Sequence, residues 1–584
     1  MKNPKLYLVI AILLIFIGGM MAWLTQTDGG SITIKDVRWV GSNGTMMSGL
    51  LYIPEGVTAE TPAPGIVAIH GYINSREVQD GFSIEFARRG YVVLASDQTG
   101  HGYSDGPAFA NGFGGMDALA YLRTLNIVDK ENIGLEGHSM GGWALGVAAA
   151  YMPDDYKAIV MEGSSTGTFG VPDGTPEWPR NLAVVFSEFD EFSALMWLTP
   201  VPGDVPASEK LMTLFGTTEP VVPGQLYGSI EDGTGRMFFQ PKTIHPGDHL
   251  SQVAIGNAIE WFQMTLDGGN GLDPADQIWY WKEVGNLIGA AGMILLLLPV
   301  GMLLLKTKYF KELALEPAPQ PKGSAIGWWI SALIVLLLGP LTFFTFKQFS
   351  TTWEWPATAL FPQNITTSII VWTTLLGLIT IVLFVLWHFL LNKKAGGNAE
   401  VYGLTWDGKF SWCKLGKSLL LALLIALAGY ATLILTDFFF KTDYRYWVFA
   451  IKLLSPLQLR IALVYFVPFL FYFLLLNLVL FAQLRKDGWS LWKEILVNSA
   501  ILVLGYVIVL LFHYIPLLSG GTLGFPDESL YGIIMFQFLP LMTIASVVLT
   551  FFNRKTGRVY VGAFLFSMLL SWIVVASTAI HYAF

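Results

Sequence analysis

The sequence predicts an α/β domain, a mostly parallel sheet flanked by helices, followed by an all-α membrane domain of several spans. Three observations carry this. Charges and ordinary globular patterning concentrate before about Asp276, with long apolar runs after it. Short apolar strand-like segments alternate with helical ones across the first half. A serine, Ser139, sits in Gly137-His138-Ser139-Met140-Gly141-Gly142, between a strand-like stretch and an Ala-rich helical one.

The first apolar run, Leu6 to Leu24, follows Lys2 and Lys5. It is longer than the core of a cleavable signal, and Met20 to Trp23 offers no small-x-small cleavage site, so residues 1–27 read as an uncleaved transmembrane anchor. Residues 28–270 read as the α/β domain. Ile32 to Val40 and Met47 to Ile53 form an opening antiparallel pair, and Gly65 to Ile69 a buried strand ending in His70-Gly71-Tyr72. A helix over Ser75 to Arg89, the strand Tyr91 to Ser96, a helix near Gly115 to Leu125 and the strand Ile133 to Glu136 lead to Ser139. Beyond it come the strands Lys157 to Glu162, Leu182 to Ser187 and Met237 to Pro241, and a closing helix over Val253 to Leu266.

Residues 278–584 read as a membrane domain of about eight helices. Spans of bilayer length fall at 284–305, 326–346, 366–391, 418–436, 461–483, 495–515, 531–552 and 560–582. Lys306, Lys308 and Lys311, then Lys393 and Lys394, then Arg485 and Lys486, then Arg554, Lys555 and Arg558 fall in alternate loops on the side of Lys2 and Lys5. The positive-inside rule therefore puts the α/β domain outside the cytoplasm, as a multi-pass cell-membrane protein. Lys441, Arg445, Lys452 and Arg460 break the rule, and the aromatic content around them predicts a helix lying in the interface. The Pro- and Lys-rich stretch Glu312 to Gly323 reads as a cytoplasmic loop. The spans hold almost no charge, against a coupled transporter. Asn477, Asn498, His388 and His513 read as helix-to-helix hydrogen-bonding or interface residues.

Composition narrows the chemistry. Against 35 Lys and Arg stand 43 Asp and Glu, spread out, which leaves no electrostatic footprint for nucleic acid. The single cysteine, Cys413, excludes an intramolecular disulfide and reads as incidental. Lack of disulfides and of a cleavable signal suits a prokaryotic envelope protein. No His, Cys and carboxylate cluster has metal-ligand spacing, and no cofactor is expected.

Glycines two residues either side of Ser139 suit a sharp strand-to-helix turn that lifts its hydroxyl above the sheet. Together with His70-Gly71 after the third strand and Asp97 to Gly106 (D-x-x-G-H-G-x-S-D-G) after the fourth, the chain resembles the α/β-hydrolase family over roughly Ile32 to Leu266. The resemblance implies a nucleophile, an acid and a histidine in that chain order, the acid after a later strand and the histidine after the last. Ser139 is then the nucleophile. Asp190 fits the acid best by its offset from the strand end, with Glu188 and Glu191 as rivals. His245 is the expected base and His249 the alternative; the other would line the pocket or pair with Asp248. Backbone N–H groups of Tyr72 and Met140 would form the oxyanion hole. His138, His101 and His70 read as packing and turn support.

The expected function is a membrane-anchored serine hydrolase that cleaves esters through an acyl-enzyme. Tethering at both ends and apolar cover from Phe192 to Arg236 (Leu195, Met196, Trp197, Leu198, Leu211, Leu214) favour lipid-like esters, with membrane lipids as neighbours. The alternatives are a serine peptidase of the same fold, with Glu188 and Glu191 gripping an amino terminus, and a sensor, transporter or assembly platform whose helices carry the function.

Overall fold

The computed structural model describes residues 3–321, 325–349 and 356–584. Lys2 and residues 322–323 of the Pro-rich loop lie outside them. The chain forms two compact units: Met1–Gly19, Asn286–Phe512 and Leu530–Ala576 make one, and Met20–Gly285, His513–Ser529 and Ser577–Phe584 the other.

The second unit is built on a nine-stranded sheet. Its strands are β1 (Ile32–Val40), β2 (Met46–Pro54), β3 (Ala63–Ile69), β4 (Val92–Ser96), β5 (Val128–His138), β6 (Ala158–Glu162), β7 (Leu182–Val185), β8 (Leu226–Tyr227) and β9 (Arg236–Phe239). The spatial order is β1-β2-β4-β3-β5-β6-β7-β9-β8. From β4 through β9 every neighbouring pair is parallel; β1, β2 and β8 add antiparallel edges. The central strands read as unbroken apolar runs because both faces are covered. After the N-terminal α1 (Pro4–Gln26), whose residues up to Gly19 belong to the first unit, the helices are α2 (Asp80–Arg88), α3 (Gly115–Thr124), α4 (Met140–Tyr151), α5 (Ser193–Trp197), α6 (Glu209–Phe215) and α7 (Gln252–Thr265).

One core lies between the sheet and α3 and α4, where Leu119, Leu122, Ala144 and Leu145 meet Val67, Leu94, Leu135 and Ile159. The other lies on the opposite face, where Phe82, Phe86, Ile255, Ile259 and Phe262 meet Ile66, Val93, Val160 and Ala183. The Ser251 hydroxyl accepts the Ala254 N–H and starts α7 after the loop that follows β9. Met196, Trp197, Leu211 and Leu214, expected as apolar cover, are buried in the first core; Leu195 and Leu198 alone of that set face outward. Burying those side chains removes more apolar surface from water than a loose lid would. The two-residue β8 is too short to show alternation in the sequence.

Among the described residues, eight helices are long and apolar enough to cross a membrane: Pro4–Gln26, Tyr280–Leu305, Ile326–Phe346, Asn364–Asn392, Trp412–Phe440, Pro456–Leu484, Leu491–Leu518 and Pro526–Thr556. The last expected span is shorter than the sequence suggests. Tyr560–Ala576 is 17 residues long, and the chain leaves the helix there rather than at 582. Polar contacts join the helices as expected: Asn477 and Asn553 exchange side-chain hydrogen bonds of 3.0 and 2.7 Å, and Asn498 donates to Thr550. His388 pairs with the Tyr402 hydroxyl at 2.7 Å. The interfacial helix expected near Lys441 is instead a hairpin of Tyr444–Tyr446 and Phe449–Ile451. Trp447 takes a left-handed φ of 53° at its turn, and Arg445 pairs with Asp443 rather than standing free.

Candidate active site

Ser139 joins β5 to α4 with φ 54° and ψ −121°, a strained conformation for a residue with a side chain. Its glycines are required by space. A Cβ at Gly137 would lie 2.4 Å from the Gly141 carbonyl carbon, and one at Gly141 would lie 2.0 Å from the Ile69 oxygen. The Ser139 N–H is held by the Glu162 carbonyl at 2.8 Å. Met140 opens α4, so its N–H belongs to a helix N-terminus and has no intrahelical acceptor.

The loop after β3 passes directly beside the serine, since a Cβ on Gly71 would be 3.1 Å from the Ser139 Cβ. This brings Tyr72 to the same end of the sheet. His70, fully buried, bonds the Gly71 carbonyl through Nδ1 at 2.7 Å and accepts the Gln98 N–H at Nε2. Asp97 accepts the N–H groups of Arg76 (2.8 Å) and Tyr103 (3.0 Å), and a Cβ at Gly102 would strike its carboxylate. His101 bonds the Thr99 carbonyl at 2.9 Å. Both histidines thus hold turns.

The carboxyl of Asp190, just past β7, lies 2.7 Å from His245 Nδ1. Its other oxygen accepts the Phe192 N–H at 2.8 Å, and Phe192 packs edge-on against the His245 ring. A Cβ at Gly163 would meet His245 Nδ1 at 2.9 Å, so glycine there leaves room for the ring. Burial works against charge on both partners, raising Asp190 and lowering His245 to about 4. The 2.7 Å contact makes the two side chains a hydrogen-bonded couple.

The rivals sit elsewhere. Glu188 lies near the surface, 4.0 Å from Lys242. Glu191 is buried but holds the backbone: one oxygen accepts the His245 N–H at 2.7 Å, the other the Tyr514 hydroxyl at 2.9 Å. His249 packs against His138 (ring centroids 4.1 Å) and Phe82. His138 bonds the His245 carbonyl through Nε2 at 3.0 Å and approaches Asp248 at 3.5 Å. Asp248, offered above as a partner for the second histidine, also accepts the Ser187 hydroxyl at 2.5 Å.

A buried acidic layer lies on the α2 and α7 side of the sheet. Gln79 donates to both oxygens of Glu136 at 2.9 Å, while Glu162 has no hydrogen-bond partner on either oxygen among the described residues. Burial pushes Glu136 up to about 8 and Glu162 well above the usual range, Asp248 adding to the latter. No motif announces this layer, because its members come from separate strands. Nor does local sequence announce the contacts of Tyr514 and of His581, whose Nε2 lies 2.7 Å from the Tyr72 hydroxyl. More than three hundred residues separate the partners in each pair. Among the described residues no cluster of His, Cys and carboxylates has the arrangement to hold a metal ion.

Residues 64–194 match a protein-family model described as the alpha/beta hydrolase fold. The chain therefore carries an α/β-hydrolase domain, joined to apolar helices long enough to span a membrane. Among solved structures, it is similar to epoxide hydrolase A from Mycobacterium thermoresistibile (22% identity, 23% of this chain and 40% of that one, TM-score 0.19). Similar too are a hypothetical protein from Pseudomonas aeruginosa (16% identity, 40% and 94%, TM-score 0.30) and an alpha/beta hydrolase from a Penicillium species (14% identity, 40% and 99%, TM-score 0.29). The chain spans less than half the length of the epoxide hydrolase. No curated protein matches it.

Proposed function

We propose that this protein is a membrane-anchored serine hydrolase that cleaves carboxylic esters by way of an acyl-enzyme, with Ser139 as nucleophile, His245 as base and Asp190 as acid. Two observations support the reading: the 2.7 Å contact of Asp190 with His245, and a serine held on a strained strand-to-helix turn. Asp190 fixes the imidazole with its proton on Nδ1, leaving Nε2 free of a proton to take one from the serine hydroxyl. The alkoxide attacks the ester carbonyl. The tetrahedral oxyanion is met by the N–H groups of Met140, strengthened by the α4 N-terminus, and Tyr72. The imidazolium then gives its proton to the leaving alcohol, and water repeats the sequence on the acyl-enzyme.

Ester is favoured over peptide because both oxygens of Glu191, one of the two carboxylates that would grip an amino terminus, are already engaged by His245 N–H and Tyr514. Exposed Phe109, Phe169, Leu195 and Leu198 on the unit that carries the sheet favour an amphiphilic, lipid-like substrate held near a bilayer.

The test is labelling of membranes carrying the full chain with a tagged fluorophosphonate. Ser139→Ala and His245→Ala are expected to abolish labelling, and Asp190→Asn to slow it by about 10⁴-fold, as tautomer loss does elsewhere. His249→Ala keeps it. Labelling that survives Ser139→Ala would overturn the assignment, and loss with His249→Ala alone would move the base there.

A further inference from the structure

The segment after the last helix, Ser577–Phe584, belongs to the hydrolase unit. Ile580 is stitched there to two points of the loop after β4: its N–H donates to the Gly100 carbonyl at 2.8 Å and its carbonyl accepts the Ala108 N–H at 2.7 Å. Gly100 is required for this, because a Cβ at that position would lie 2.6 Å from the Ile580 oxygen. The pairing delivers the next residue, His581, to Tyr72. The imidazole Nε2 lies 2.7 Å from the Tyr72 hydroxyl, and the His581, Tyr72 and Phe109 rings pack together with centroids 5.4 to 5.8 Å apart. The Tyr72 hydroxyl and the His581 ring thus share one hydrogen bond.

The backbone at this place needs holding. Ile73, next to Tyr72, has φ 56°, and Phe109 has φ 73°. Left-handed backbone is costly for a β-branched or bulky residue and persists only where neighbours over-determine it. Tyr72 is also the residue whose N–H would meet the oxyanion, so freedom in this loop would weaken an interaction that depends on donor position.

We propose that His581 is a positioning residue for the hydrolytic centre: through its hydrogen bond to the Tyr72 hydroxyl it locks the loop after β3 with the Tyr72 N–H aimed at the oxyanion. This rests on the serine-hydrolase reading above. The part of the chain that follows the membrane helices thereby completes the active site, and His581 acts on the reaction without touching substrate.

The experiment measures fluorophosphonate labelling kinetics of the full chain in detergent, since phosphonylation of Ser139 loads the same oxyanion donors. Tyr72→Phe, His581→Phe, His581→Gln and the double Tyr72→Phe/His581→Phe are compared with wild type and with Ser139→Ala. Tyr72→Phe removes one hydroxyl and keeps the ring, so it leaves packing intact. Each Phe variant is expected to lower the maximal labelling rate by about five- to tenfold, the worth of one hydrogen bond, with the half-saturating probe concentration unchanged. The double variant falls no further than either single one, and His581→Gln, whose amide can still accept from the hydroxyl, restores most of the rate. Wild-type kinetics in Tyr72→Phe, multiplying losses in the double variant, or a change in half-saturation alone would overturn the proposal. If Ser139→Ala still labels, the serine-hydrolase reading itself fails; if Ser139→Ala is silent while Tyr72→Phe matches wild type, only the role of His581 fails.

Discussion

Glu136 shows how one residue ties stability to pH. Its carboxyl is fully buried on β5, and burial raises it from 4.5 to about 8. Between those values the folded chain keeps a proton that the unfolded chain releases. The stabilisation is therefore complete below pH 4.5 and is lost as pH rises through 8. Glu191, raised to about 8, adds to the same trend. His245 works in the opposite direction: lowered from 6.5 to about 4, it lets the unfolded chain bind a proton first, so stability falls as pH drops from 6.5 towards 4. Glu136→Gln separates the two trends. The amide keeps an acceptor for the Gln79 side chain and supplies a donor to Gln79 Oε1, which has no partner among the described residues. The thermal midpoint of Glu136→Gln is expected to exceed wild type by a few degrees at pH 9 and to match it at pH 5. An equal shift at both values would mean that Glu136 does not carry a proton in the folded chain. The sequence places a lone Glu on a buried strand, yet nothing in it reveals the neighbours from β6 and the loop after β9 that make the layer acidic.

The turn between β5 and α4 was legible because it is local. Its glycines, its serine and the apolar strand before it lie within a few residues, and steric limits at Gly137 and Gly141 leave little choice of side chain. Gly141→Ala would push a methyl onto the Ile69 and His70 carbonyls, 2.0 and 2.8 Å away. Overpacking of this kind costs about 1–3 kcal/mol, and here it must move the end of β3 or tilt α4. Labelling of Ser139 is expected to fall by at least about tenfold and the melting temperature to drop, whereas Gly170→Ala, where nothing lies within 4 Å of the added methyl, should change the melting temperature much less, limited to its left-handed φ of 87°. Equal effects of the two would remove the steric argument for the turn. Elements fixed by distant partners were less legible. The Tyr444–Tyr446 hairpin has the aromatic, basic composition of an interfacial helix, and its identity comes from pairing across a two-residue turn. Met196, Trp197, Leu211 and Leu214 look like a lid by composition but are core by packing. Asp190 is legible by its offset from the end of β7, whereas His245 and His249 lie in the same loop after β9 and only their contacts in the fold tell them apart.

At the scale of the whole molecule, charge distribution argues for a sidedness that the protein can report with its own single thiol. Lys306, Lys308 and Lys311, Lys393 and Lys394, Arg485 and Lys486, and Arg554, Lys555 and Arg558 recur at alternate ends of successive apolar helices. Lys and Arg near helix ends are retained on the cytoplasmic side. Cys413 is exposed at the start of Trp412–Phe440, in the connection that also carries Lys393 and Lys394. If that side is cytoplasmic, the hydrolase unit, one span removed from the Lys306 connection, lies across the membrane from Cys413. A membrane-impermeant maleimide is therefore expected to label Cys413 in inside-out vesicles and not in intact cells. An impermeant fluorophosphonate should give the opposite pattern at Ser139. Cys413→Ser is the blank for the first reagent and Ser139→Ala for the second. Labelling of both sites from one side would break the alternation of spans between them, and an inverted pattern would place the hydrolase unit in the cytoplasm, where its substrates would have to come from the inner leaflet.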